Sequence, residues 1–242
     1  MQAIIMAAGK GSRLGELSYG KPKSFIEIKG KKLIEYNLKI LETYGVDDVV
    51  IVTGYQCGLF EEMAGNRENI RLVYNPFYEM TNVLGSFYMG MDFLRDDFLY
   101  LHADTLCEPQ IVERMFMTAA DIVLPVDNRT CDDEAMKVRS EAGKIVQITK
   151  QMKNEQADGE FIGVALFRKN TLAAVRKKTK KLMEEKAFEA YFESAIQRLV
   201  DEEDFVIKAI PTDGAFWAEI DFKEDYEKAV REIPESLTGI FG

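Results

Sequence analysis

The chain has 242 residues, 47% of them hydrophobic and 30% charged, enough to bury a sizeable core and ordinary for a globular α/β protein. Its net charge of −10 at pH 7 argues against nucleic acid as a partner, because a polyanion calls for a basic face. No apolar run approaches the ~20 residues of a membrane span and no cleavable leader opens the chain, so the expectation is a cytoplasmic protein without a membrane partner. The charge is unevenly spread. Residues 1–40 hold eight of the 31 basic and three of the 41 acidic residues, a local balance of +5 that leaves −15 for the rest. An anion is drawn to the N-terminal end. Cys57, Cys107 and Cys131 are odd in number and widely spaced, so they predict reduced, packed thiols rather than a disulfide framework or a zinc motif.

Gln2–Met6 is an apolar run fit for a buried strand, and Met6–Lys23 (MAAGKGSRLGELSYGKPK) follows as a glycine-rich, basic loop. Ala7, Ala8, Gly9, Lys10, Gly11 and Ser12 form a side-chain-poor stretch whose backbone N–H groups can close on an anion. Arg13 can fork onto phosphate oxygens, and Pro22 holds Lys21 and Lys23 in an extended approach. The spacing matches neither a Walker loop nor a dinucleotide fingerprint. A surface turn that happens to be basic would have the same composition.

Ser24–Ile28 predicts a short strand, Leu33–Tyr44 a helix ended by Gly45, Val49–Val52 a strand, Leu59–Ala64 a helix and Arg71–Tyr74 a strand. Strands alternating with helices imply a mostly parallel sheet, with ligands beyond the carboxyl ends of the strands. Asn75–Val83 is polar and aromatic and precedes a helix over Leu84–Leu94. Thr81, Asn82 and Ser86 can hydrogen-bond a pyrimidine edge and Gly85 can let a base approach closely, although Thr81 or Asn82 can equally cap the helix. Phe98–Leu101 is a buried strand running into His102-Ala103-Asp104. A carboxylate there, beside a phosphate loop, suits Mg²⁺, so Asp104 is the first candidate metal ligand. His102, the lone histidine, reads as structural rather than as a base.

Pro109 opens a helix to Ala119, Asp121–Val126 is a strand, and Met136–Ile148 is a hairpin turning at Glu141–Lys144. Asp127–Asp133, of mixed charge, is expected to be mobile. Glu160–Phe167 predicts one strand with Gly163 leaving room for a close contact, and Thr171–Val200 predicts continuous helix whose RKKTKK run is a solvated face. In Phe216–Phe222 an extended chain puts Trp217, Glu219 and Asp221 on one face. Asp221 becomes the second candidate metal ligand. Glu219 and Trp217, with Glu160, are candidates to hold a cationic head group. An amphipathic edge strand with Trp217 in the core would show the same pattern.

The segments AAGKGSRLGELSYGKPKSFIEIKGKKLIEY, LYLHADTL and AEIDFKEDYEKA resemble the sugar-phosphate nucleotidyltransferase-like members of the nucleoside-triphosphate transferase superfamily, and within it the small phosphocholine and 2-aminoethylphosphonate cytidylyltransferases. The resemblance implies a Rossmann-like, three-layer sandwich of the GT-A type with a mostly parallel mixed sheet in one domain. Its nucleotide-binding half would cover about 1–105 and its acceptor-binding half about 106–242. It also implies Mg²⁺ as cofactor, CTP as donor, residues 75–83 lining the base pocket, and Lys150 touching the acceptor phosphate. The expected reaction is attack of a phosphate or phosphonate oxygen on the α-phosphorus, with Arg13, Lys23 and Lys150 as the catalytic residues and pyrophosphate as leaving group. The alternatives are a sugar-1-phosphate enzyme using UTP or dTTP, a methylerythritol-phosphate or molybdopterin cytidylyltransferase, and a non-catalytic nucleotide sensor.

Overall fold

After Gln2 an uninterrupted run of small and apolar side chains makes Gln2–Ala7 a strand, β1, and its complete burial places it inside a sheet covered on both faces. The computed structural model describes residues 1–18, 20–129 and 131–242; Tyr19 of the basic loop and Thr130 of the segment expected to be mobile lie outside the described residues. Following β1 come β2 (Glu27–Ile28), β3 (Lys31–Lys32), α1 (Leu33–Thr43), β4 (Asp48–Thr53), α2 (Cys57–Ala64), β5 (Ile70–Tyr74), α3 (Val83–Gly90), β6 (Phe98–His102), β7 (Thr105–Cys107) and α4 (Pro109–Met117). Next are β8 (Ile122–Asp127), β9 (Lys137–Glu141), β10 (Lys144–Thr149), β11 (Gly159–Phe161), β12 (Val164–Phe167), α5 (Leu172–Glu184) and α6 (Glu193–Glu202). The chain ends with β13 (Ile207–Pro211), β14 (Trp217–Glu219), α7 (Lys223–Glu232) and α8 (Glu235–Thr238).

Ten strands form one sheet in the order β11-β9-β10-β13-β8-β12-β6-β1-β4-β5. Strands β6, β1, β4 and β5 are parallel, with Ile4 opposite Val50 on one side and Tyr100 on the other. Beyond them β12 enters antiparallel between β6 and β8, and β13 runs parallel to β8. The alternation of the strands divides the core in two. Ala3, Ile5 and Ala7 pack with α1 and α4, whereas Ile4 and Met6 pack with α3, α5 and α6. Helices on both faces of a mixed sheet, whose parallel block β6-β1-β4-β5 runs out to one edge, give the expected Rossmann-like layers. Among the described residues no helix is long and apolar enough to cross a membrane, and all three cysteines are free.

Two expected elements are divided. The strand expected over Glu160–Phe167 is two, because Gly163 at φ +78° turns the chain from pairing with β9 to pairing with β6. The helix expected over Thr171–Val200 stops at Glu184 and restarts at Glu193, with Lys186 in the left-handed region and Phe192 buried at the restart. Likewise Lys23–Phe25 is a 3₁₀ turn ahead of β2, and α3 gives way to a 3₁₀ turn over Met91–Phe93. The hairpin forms where expected. Ala142 and Gly143 both have positive φ, the combination a tight turn between twisted strands requires.

Candidate active site

Parallel strands β1 and β6 end at the same edge of the sheet, so the loop after Ala7 and the Asp104 segment emerge side by side. Ala103 N–H donates to the Met6 carbonyl at 3.1 Å and joins the two. Gly11, at φ +65°, folds the loop back over the Lys23 stem; a Cβ there would lie 2.8 Å from Lys23 Cβ. Pro22 is extended and directs Lys23 inward. The antiparallel pairing of β14 with β7 sets Glu219 opposite Thr105, and Ile220 N–H donates to the Asp104 carbonyl at 3.1 Å. Asp221 is thereby brought to Asp104.

The Lys23 ammonium sits between these carboxylates, 2.6 Å from Asp104 Oδ2 and in direct contact with Asp221 Oδ1. Arg13 approaches Asp221 from outside at 3.7 Å. Burial pulls the Lys23 pKa down, but Asp104 and then Asp221 outweigh it and hold it above its ordinary value. Burial likewise favours a neutral Asp104, and Lys23 with His102 reverses that, keeping the carboxyl below its usual range. Fixed charges of both signs meet at the mouth of the loop.

A cleft of about 430 Å³ opens here, bordered by Ala8, Gly9, Gly11, Ser12, Arg13 and Lys23 on the loop side. Across it stand Thr81, Asn82 and Ser86, with Asp104, Lys150, Glu219 and Asp221 completing the rim. Asn82 Oδ1 accepts from Val83 N–H at 2.7 Å as the cap of α3, while its amide donates to the Glu189 carbonyl at 3.3 Å. Thr81 donates to the Phe77 carbonyl, and Ser86 Oγ accepts from Asn75. Three of the residues expected to bind the nucleotide lie off the cleft. The space a Cβ on Gly85 would need is filled by Thr81, so Gly85 serves helix packing rather than the approach of a base. Ala7 is buried in β1, and Lys10 lies over the Tyr55 ring at 5.5 Å.

An adjoining pocket of about 360 Å³ contains Glu160, Trp217, Asp127 and Asp132 and shares Lys150, Glu219 and Asp221 with the cleft. Trp217 Nε1 donates to Asp127 Oδ2 at 2.6 Å, which fixes the indole. Burial first, then Glu219, Asp132 and Asp127, push the Glu160 carboxyl up to about 7. Lys150 lies 4.7 Å over the Tyr191 ring, and its carbonyl accepts at 3.2 Å from the almost fully buried ammonium of Lys137.

Sequence reasoning missed several neighbours. Tyr78 and Tyr191 border the cleft, and a Cβ on Gly54 would lie 2.7 Å from both the Ala8 carbonyl oxygen and Tyr78. The Thr-Gly pair closing β4 was the signal for Gly54; nothing local marks Tyr191. His102 is also in the cleft wall. Its Nε2 is 2.9 Å from the Tyr100 hydroxyl and 4.0 Å from Glu193 Oε1, and its Nδ1 is 3.9 Å from Glu219 Oε1. Burial disfavours its protonation, yet Glu219, Glu193 and Asp104 together raise its pKa to about 9. Tyr100 stacks on Phe192 at 4.3 Å and Phe87 packs tilted against it at 4.2 Å, and this aromatic packing anchors the start of α6, where Glu193 lies.

Residues 3–195 match the family model of the MobA-like NTP transferase domain, which spans well over half of the sequence, and the chain belongs to that family. Among particular relatives, it is 27% identical over 257 aligned residues to the CTP:phosphoglutamine cytidylyltransferase of Campylobacter jejuni, covering 96% of this chain and 100% of that one. It is 26% identical over 231 residues to the choline-phosphate cytidylyltransferase of Streptococcus pneumoniae, covering 94% and 96%. The inositol-1-phosphate CTP transferase from T. maritima superposes with a TM-score of 0.80 at 24% identity, over 99% of this chain and 95% of that one, and so shares the fold.

Proposed function

We propose that this protein transfers CMP from CTP to a small phosphorylated or phosphonate acceptor and releases pyrophosphate. The observation that carries the reading is the meeting of Lys23, Arg13, Asp104 and Asp221 at the mouth of a glycine loop, with Lys150 on the rim of the same cleft. Likeness along nearly the whole chain to two cytidylyltransferases favours CTP as the donor.

An acceptor oxygen attacks the α-phosphorus, the new P–O bond forms, and the bond to the bridging oxygen of pyrophosphate breaks in line. A phosphomonoester has its second pKa near ~6 and is largely dianionic at neutral pH, so no side chain has to remove a proton. The barrier is repulsion between anions, which positioned cations relieve. Arg13 and Lys23 neutralise the triphosphate and the charge growing on the leaving oxygen, and Lys150 steers the acceptor. Mg²⁺ is the proposed cofactor. Asp104 and Asp221 suit it, since both converge on one cation, the Lys23 ammonium. When bound, the ion supplies Lewis acidity and a template for the phosphates.

Glu160, Glu219 and Trp217 around the adjoining pocket favour an acceptor with an amine or quaternary ammonium, such as phosphocholine or 2-aminoethylphosphonate. Glu219→Gln should raise KM for an aminated acceptor more than KM for CTP in a pyrophosphate-release assay. Equal effects on both would count against the head-group role.

A further inference from the structure

Phosphoryl transfer between two anions gives His102 no proton to move, yet the residue is held on every side. Ligand atoms of His102, Asp104 and Glu219 all lie within 4.8 Å of one another. Asp104 spends Oδ2 on Lys23 and leaves Oδ1 buried and, among the described residues, unpartnered. Gly163 packs against the Nδ1 edge of the imidazole, where a Cβ would come 2.7 Å from that nitrogen, and Nδ1 faces Glu219 Oε1 at 3.9 Å.

The other side of the ring supplies an independent observation. Nε2 is tied to the Tyr100 hydroxyl at 2.9 Å and faces Glu193, which is 2% exposed and whose Oε2 is buried without a partner among the described residues. Metal-bound histidines characteristically carry such a carboxylate or hydroxyl on the second nitrogen, which fixes tautomer and ring plane. Tyr100 and Glu193 on Nε2, with Nδ1 turned toward Glu219, have that arrangement.

We infer that His102 Nδ1, Asp104 and Glu219 form a binding site for a borderline divalent ion of the Zn²⁺ class, distinct from the Mg²⁺ position proposed for Asp104 and Asp221. The donor set decides the class of ion: Mg²⁺ takes oxygen ligands almost exclusively, whereas one imidazole with two carboxylates suits Zn²⁺ or Co²⁺. Three protein ligands leave a coordination position for water or a phosphate oxygen. On binding, the ion replaces the proton that Nδ1 otherwise carries. Asp104 then links the two positions, and Glu193 and Tyr100 act as positioning residues.

The test is metal binding to the full chain without nucleotide, so it does not depend on the reaction proposed above. Co²⁺ is titrated in excess Mg²⁺ and its visible bands are followed, with Zn²⁺ as competitor. One Co²⁺ should bind wild type despite the Mg²⁺, His102→Gln should abolish the bands, and Glu193→Gln should weaken binding about 10–100-fold with an unchanged far-UV spectrum. Zinc-edge absorption of the loaded wild-type protein should show an imidazole scattering signature with nitrogen at about 2.0–2.1 Å, a readout that stands even if a variant misfolds. No Co²⁺ uptake in the presence of Mg²⁺, bands unaltered by His102→Gln in a folded variant, or an all-oxygen zinc shell would each overturn the inference.

Discussion

Lys23 answers to charge more than to shape, because its ammonium is the one contact shared by Asp104 and Asp221 at the loop mouth. Lys23→Ala or Asp104→Ala should lower kcat by about 100-fold or more while the protein stays folded by circular dichroism. Near-normal turnover in either would refute the roles assigned. Glu160 makes a separate prediction. The folded protein holds its proton up to about 7, whereas an ordinary glutamate releases it near 4.5, so the native state binds more protons in that window and stability falls as pH rises through it. Glu160→Gln removes the penalty. The variant should be more stable than wild type by on the order of 2 kcal/mol above about pH 8, with the gain vanishing below about pH 4.5, by urea denaturation. Parallel pH curves would contradict this. At this scale the convergence of Arg13, Lys23, Asp104 and Asp221, whose roles are proposed, was legible because each sits in a short motif whose chemistry is local. His102 was not, since Glu193 and Glu219, which give it meaning, come from distant parts of the chain.

Strands and helices were legible where burial alone sets the pattern, as in β1, β4, β6 and α1, and the loop after β1 follows from them. What pattern could not supply was where the chain turns for the sake of a neighbour. Glu160–Phe167 reads as one strand, and only the imidazole beside Gly163 explains the break. With positive φ and no room for a Cβ, Gly163→Ala should destabilise the fold by about 1–3 kcal/mol and disturb His102. An unchanged Tm would contradict that account. The gap between α5 and α6 was hidden for a similar reason, because residues 171–200 have helical spacing and the stop comes from docking Phe192 into the aromatic cluster. At the start of α3, Asn82 caps the helix and reaches the Glu189 carbonyl, so Asn82→Ala should cost about 1 kcal/mol in urea denaturation. Asn82→Ser should recover most of the cap. A loss of CTP affinity in the serine variant would then point to a contact with the base.

Over the whole molecule the chain is acidic, and the cations facing the cleft at the carboxyl end of the parallel strands, Arg13, Lys23 and Lys150, stand beside Asp104, Glu219 and Asp221. The adjoining pocket beyond Lys150 is more acidic, with Asp127, Asp132, Glu134 and Glu160 in its lining. That contrast suits the proposed donor, which carries only negative charge, and the proposed acceptor, which carries both signs. The measurement that tests it most directly is pyrophosphate release with Mg²⁺, crossing CTP, UTP, dTTP, ATP and GTP with phosphocholine, 2-aminoethylphosphonate, phosphoethanolamine and glucose-1-phosphate. Release with CTP and an aminated acceptor is the predicted result. Turnover of UTP or dTTP with glucose-1-phosphate, and none with CTP and any aminated acceptor, would contradict it.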